Sequence, residues 1–100
     1  MKTTKKILGF VSVDSGQVII VDPCYLGDWK DGEYNPSKEL NNHYAKACKT
    51  TLNKKQGGQI IVSGIQGTGV ASSTGYGDGN YPVEATYKNG RVQKLTIKFI

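Results

Sequence analysis

The sequence predicts an α+β domain, a mostly antiparallel sheet of about six strands in the order ββαββββ with one helix packed on a face. Three observations predict it. Short β-branched runs alternate with Gly, Asn and Asp turns along most of the chain. One central stretch carries apolar residues at helical spacing instead. The chain closes on Asn89-Gly90, a strong hairpin signal, between two alternating segments. At 100 residues it should form a single domain, 1–100, with one modest core.

The first strand is expected over Lys6 to Val13, with Asp14-Ser15-Gly16 as a turn into a β-branched strand over Gln17 to Val21. These two should form a hairpin. Asp22-Pro23 breaks the ladder, because proline has no N–H and aspartate initiates turns. Residues 27 to 35 read as a polar loop. The helix should start near Asn35-Pro36, with asparagine as N-cap and proline at the first helical position. Leu40, Tyr44, Ala47, Cys48 and Thr51 then share one face, and the helix should fade between Thr51 and Asn53.

Four more strands are expected: Gln59 to Ile65, Gly69 to Thr74, Tyr81 to Lys88 and Arg91 to Ile100. A two-residue turn at Asn89-Gly90 would set Leu95 against Glu84 and Ile97 against Pro82. A three-residue Lys88-Asn89-Gly90 loop sets Val83 against Leu95 and Tyr81 against Ile97. The second register matches apolar to apolar and is the expectation. Lys94, Thr96 and Lys98 then share the polar face of the last strand.

Composition excludes several classes. Hydrophobic residues make up 37% and charged residues 21%, which is neither a disordered nor a membrane composition. The apolar stretch near the start ends at Ser12 without a cleavage site, so the protein is expected to be cytoplasmic, with no membrane partner. Cys24 and Cys48 are then expected as free thiols, small residues of the core. His43, the single histidine, lies five residues from Cys48, which is poor spacing for a catalytic pair on one helix face. Net charge is +5 and unevenly spread. Residues 40 to 77 and 85 to 100 contain lysines or arginine and no acid, which points to an anionic partner; a merely solubilising surface is the plainer reading.

No catalytic motif stands out. There is no G-x-x-x-x-G-K-[ST] loop, and Gly67-Thr68-Gly69 lacks the third glycine of a dinucleotide fingerprint. No G-x-S-x-G elbow, zinc spacing or calcium loop is present, so no metal site and no cofactor is expected. Specific nucleic-acid modules are missing too, although the basic face of the last strand suits weak contacts with phosphates. The chemistry gathers in Ser72-Ser-Thr-Gly-Tyr-Gly-Asp-Gly-Asn-Tyr81. Hydroxyls and glycine-turn N–H groups can hold phosphate, and loop tyrosines can stack on a base. The candidate ligand-binding set is Asp22, Tyr25, Ser73, Thr74, Tyr76 and Asp78, with Tyr81 as a wall. It requires residues 22 to 25 to lie near residues 72 to 81. An alternative puts Asp22 and Asp78 together as a carboxylate pair.

Asp22-Pro-Cys-Tyr25 after a strand–turn–strand, and Gly77-Asp-Gly-Asn-Tyr-Pro-Val83 before the terminal hairpin, together resemble a family of small uncharacterised proteins from bacteriophages and bacteria. In size, charge and lack of catalytic motif the chain is also similar to phage sponge proteins that sequester nucleotide immune signals. That likeness implies a non-enzymatic binding protein that holds a cyclic nucleotide or ADP-ribose derivative and so inhibits host antiviral defence, as a possible homo-oligomer. A small hydrolase of the same ligand, or a protein–protein module acting on a host enzyme, are the alternatives.

Overall fold

A computed structural model describes residues 2–63 and 68–99. It contains strands β1 (Thr3–Val13) and β2 (Gln17–Val21), a 3-10 helix (Pro23–Asp28), helix α1 (His43–Thr51), and strands β3 (Gly57–Ile60), β4 (Gly69–Ser73), β5 (Gly79–Lys88) and β6 (Arg91–Ile97). The α+β class is met. The simple ββαββββ order is not, because the 3-10 helix stands between β2 and α1. Nor is there a single sheet: the strands form two antiparallel three-stranded sheets, β1-β5-β6 and β2-β4-β3.

Adjacent strands β1 and β2 therefore do not pair as a hairpin. β1 runs against β5 from Thr3↔Lys88 to Val13↔Gly79. The Asp14–Gly16 turn, with Gly16 at φ +68°, carries the chain into the other sheet, where Gln17↔Ser73 and Val21↔Gly69 begin and end the β2–β4 ladder. The sheets do not stack on one another as layers. Principal extents of 51 × 30 × 23 Å and a radius of gyration of 15.1 Å, against the ~13 Å usual for a compact domain of this length, describe an elongated molecule.

The core belongs to the β2-β4-β3 half. Alternation turns Ile19 and Val21 of β2, Ala71 of β4 and Ile60 of β3 to one face. Ala47 of α1 closes on Ile60, Val62 and Ala71, and Tyr25 and Trp29 pack around this cluster. The helix sits close because the sheet offers glycine beneath it: a Cβ on Gly58 would come within 3.2 Å of the Thr50 methyl. Tyr25 and Trp29 are thus held against the sheet by the 3-10 helix and the residues after it.

Helix α1 starts seven residues later than expected. Asn42, in extended conformation, is the N-cap, and its side chain accepts from the Ala45 N–H at 2.7 Å. Asn35 is instead the first residue of a turn; its side chain accepts from Ser37 N–H and its carbonyl from Lys38 N–H. The decisive tether is the His43 N–H, which donates to the Lys30 carbonyl at 2.9 Å and pins the first turn to the segment after the 3-10 helix.

The terminal hairpin corrects the expected register. Lys88 pairs with Arg91 around a two-residue turn, with Asn89 at φ +55° and Gly90 at φ +76°, the left-handed pair of a type I′ turn. A bulge then places Gln93 outside the ladder between Tyr87↔Val92 and Thr86↔Lys94. That one extra residue sets Leu95 against Ala85 and Ile97 against Val83, so the apolar match is reached by a bulge rather than by a longer loop. Tyr81, which is 3% exposed, packs edge-on against Phe99.

Other boundaries differ modestly. β1 and β5 begin earlier than expected, and β4 and β6 end earlier. The expected third strand is cut at Ile60; Ile65, with Gly64 and Gly67 of the glycine-rich run and the terminal Ile100, lies outside the described residues. Cys24 and Cys48 are free, but Cys24 is exposed and Cys48 half-buried, so Cys24 is not the core residue expected. No helix among the described residues is long and apolar enough to cross a membrane.

Gly90→Ala forces a side chain into the left-handed region at the tightest turn of the fold. It should lower stability by about 1 kcal/mol, read as a reduced midpoint in urea with an unchanged slope.

Candidate functional site

The hydroxyls of the Ser72–Tyr81 loop are used by the loop itself. Thr74 is 0% exposed; its Oγ1 donates to the Gly77 carbonyl at 2.5 Å, and its N–H donates to the Gly16 carbonyl at 3.0 Å. Ser73 Oγ accepts from Gly75 N–H at 3.0 Å, and Ser72 Oγ donates to the Ser73 carbonyl. Tyr81 Oη donates to the Gly77 carbonyl at 2.6 Å, which fixes its ring against the loop. Gly75 and Gly77, at φ +70° and +90°, make the backbone bends that these bonds close. The composition that suggests a phosphate cradle serves here to cross from one sheet to the other.

Among the remaining candidates, Asp22 caps the 3-10 helix by accepting from Cys24 N–H at 2.9 Å. Tyr25 packs against the core cluster. Tyr76 is 77% exposed, and Asp78 is exposed in a shallow depression beside Ser12, Asp14 and Asn80. The two groups lie at opposite ends of one ladder: Asp22 follows the Val21↔Gly69 pair, whereas Thr74 follows the Gln17↔Ser73 pair. Four residue steps along a strand separate those pairs, roughly 14 Å. The proximity that the combined site requires is therefore not found, and Asp22 and Asp78 do not form a carboxylate pair.

Another place gathers polar groups that point to a ligand. A cleft of about 530 Å³ lies where the segment after the 3-10 helix meets the start of α1, lined by Asp28, Lys30, Asn41, His43, Lys46 and Ser63 among others. Its geometry follows from local rules. His43 Nδ1 accepts from the Lys30 N–H at 2.6 Å, which leaves the ring proton of neutral His43 on Nε2 as a donor. The His43 ring stacks on Trp29, with centroids 5.4 Å apart and planes at 27°. Lys46 lies one turn along α1 from the N-cap, at the positive end of the helix.

Ser63 adds a further observation. Its hydroxyl oxygen is shielded from solvent and has no hydrogen-bond partner among the described residues. An unpaired buried hydroxyl costs about 1–3 kcal/mol, which a ligand or water in the cleft would offset.

The cysteine and its neighbours do not form a nucleophile–base pair. Cys48 Sγ accepts from Gln17 Nε2 at 3.1 Å, and Thr51 Oγ1 donates to the other end of the Gln17 amide. The Tyr44 phenol is held above the usual tyrosine range, first by its hydrogen bond with Cys48 and the charge there, then by slight burial and by Asp31. The His43 ring is engaged with Lys30 and Trp29. The described residues contain no cluster of three or more His, Cys, Asp or Glu side chains suited to a metal.

Lys30, His43 and Lys46 escape a composition-led search because they are scattered in sequence and carry no motif. A usable signal was the acid-free run from residue 40 to 77 around the only histidine.

A family model described as "Protein of unknown function (DUF4241)" matches residues 4–97, and the chain belongs to that family. The match extends through the helix and its flanks, beyond the two terminal segments that carry the sequence resemblance. No curated protein and no solved structure matches the chain.

Gly77 is the carbonyl on which Thr74 and Tyr81 both converge. Thr74→Val and Tyr81→Phe should each cost about 1 kcal/mol, since one donor remains. The double variant should lose more than their sum, because the carbonyl is then left without either hydroxyl; urea denaturation of the four proteins measures the coupling.

Proposed function

We propose that this member of the DUF4241 family is a non-enzymatic binding protein for a small phosphate-bearing ligand of the nucleotide class, held in the cleft at the start of α1. One observation carries the reading: Lys30, His43, Lys46 and Ser63 line one cleft, with the shielded Ser63 hydroxyl unpartnered among the described residues. Two ammonium groups and neutral donors suit a phosphate, whose oxygens accept several charge-assisted hydrogen bonds at once. Asn41 and Asn42 also line the cleft; Asn42 is committed to the cap, so Asn41 is the amide available to a base or ribose. The Trp29–His43 stack gives the wall an aromatic surface, as sites for nucleobases commonly have.

Such a protein acts by holding its ligand. Sequestration of a nucleotide signal, with inhibition of host antiviral defence as its consequence, is the role that the likeness to phage sponge proteins suggests. The site moves relative to the sequence-based expectation, from Ser73–Asp78 to Lys30–Ser63, while the ligand class stays the same. A hydrolase of the same ligand is less favoured, since Asp22 and Asp78 sit at opposite ends of a strand ladder.

A thermal-shift panel of cyclic dinucleotides, cyclic ADP-ribose isomers and ADP-ribose tests the reading. A binder present at a hundred times its Kd adds about 2.7 kcal/mol of stability. The expected result is a clear shift with at least one compound, and recovery of that compound intact after heat denaturation. A K30Q/K46Q variant should lose at least tenfold in affinity, whereas Tyr76→Ala and Asp78→Ala should bind like the parent. If no compound shifts the protein, or if the lysine variant binds undiminished, the reading fails; a hydrolysed product would make the protein an enzyme.

A further inference from the structure

The sheet β1-β5-β6 has one face rich in cations. Directly paired residues point to the same side of a sheet, so the registers assign its members. Lys5, Thr86 and Lys94 form one cross-strand row. Thr3, Lys88 and Arg91 form the next. Farther along the same face come Ile7, Glu84 and Thr96, then Phe10 beside Pro82, then Ser12 beside Asn80. Four cations thus share this face with one acid, the half-buried Glu84. None of the four takes part in an ion pair among the described residues, where the one pair found joins Lys49 to Glu39 on the other half of the molecule.

Two features separate this face from an ordinary solubilising surface. Thr86 sits between Lys5 and Lys94 and is 2% exposed, and its Oγ1 has no hydrogen-bond partner among the described residues. A buried hydroxyl between two ammonium-bearing side chains is an unfilled donor within the cationic part of the face. Phe10, at the opposite end of the same face, is 69% exposed. It is more exposed than Ile7, the other large hydrophobic residue on this face, at 52%. Thr86 and Phe10's partner Pro82 are two side-chain steps apart along β5, roughly 13 Å.

We propose that this face binds single-stranded nucleic acid without sequence preference. The backbone lies over the Lys5–Thr86–Lys94 and Lys88–Arg91 rows, Thr86 Oγ1 donates to a phosphate oxygen, and a base stacks on Phe10. Charge complementarity selects a polyanion, and the exposed aromatic in line with the cations selects one with flat, unstacked rings. A duplex hides those rings. The sheet is regular and rigid apart from bulges at Leu8 and Gln93, so the row of phosphate contacts is preformed. Glu84, between the cations and Phe10, can accept from a base amine.

Fluorescence anisotropy with a fluorescein-labelled oligothymidylate tests this over a series of salt concentrations. Four phosphate contacts predict a slope of log K against log salt of about −3. K5Q/K94Q should weaken binding at low salt by at least tenfold and flatten the slope by about 1.4. Thr86→Val, which keeps the shape, should weaken binding severalfold. Phe10→Ala should weaken it about tenfold with the slope unchanged, because stacking releases no counterions. The K30Q/K46Q cleft variant should bind the oligonucleotide like the parent, which keeps this surface distinct from the small-ligand cleft. Loss of binding in the cleft variant, or undiminished binding by K5Q/K94Q or by Phe10→Ala, overturns the proposal. So does tighter association with phosphatidylserine vesicles than with the oligonucleotide, which would make the same lysines and Phe10 a lipid-facing surface.

Discussion

The architecture depends on how the chain crosses between its two sheets, and Thr74 holds that crossing. Its N–H reaches back to Gly16 in the first crossing, and its hydroxyl reaches forward to Gly77 in the second. One fully buried residue therefore ties together the turn from β1 into β2 and the loop from β4 into β5. Because the sheets share no broad packed face, these short-range hydrogen bonds replace the hydrophobic layer that usually joins two sheets.

The fold was readable wherever a residue type has one structural use. Asn89-Gly90 marked its hairpin, β-branched Gln17–Val21 its strand, and the spacing of Ala47 and Cys48 a helix against the sheet. It was not readable where one signal has several solutions. Asn35-Pro36 carries a cap signal, yet the helix is capped by Asn42, where a backbone bond joins His43 to Lys30, thirteen residues away. Apolar matching across the hairpin could come from a longer loop or from a bulge, and nothing about Gln93 itself announces a bulge. The pairing of β1 with β5 lies in contacts between residues nearly eighty apart, such as Ile7 with Glu84, which no local pattern encodes.

The candidate site shows the same division. Serine, threonine and glycine in a turn have the same donors and bends whether they surround an anion or satisfy their own backbone. In Ser72–Gly77 the backbone takes them. The buried hydroxyls whose bonding is incomplete among the described residues are those of Ser63, near the start of α1, and Thr86, under its lysines. Both are visible only once burial and partners are known. The acid-free charge runs overlap both proposed surfaces: residues 40 to 77 contain His43, Lys46 and Ser63, and residues 85 to 100 contain Thr86, Lys88, Arg91 and Lys94.

The β1–β5 pairing also sets an order of assembly in time. Residues 17 to 73 contain β2, the 3-10 helix, α1, β3 and β4, together with the whole buried cluster. That half can condense while β5 and β6 are still being synthesised, since a chain emerges at about 5–20 residues per second and helices and short ladders form far faster. β1 cannot join anything in that interval. It emerges before its partner and waits, with its edge unpaired, until β5 arrives. The five lysines and one arginine at residues 2, 5, 6, 88, 91 and 94 then have a second consequence. Their like charge opposes pairing between copies of these strands during the seconds in which an unpaired strand edge is most prone to aggregate.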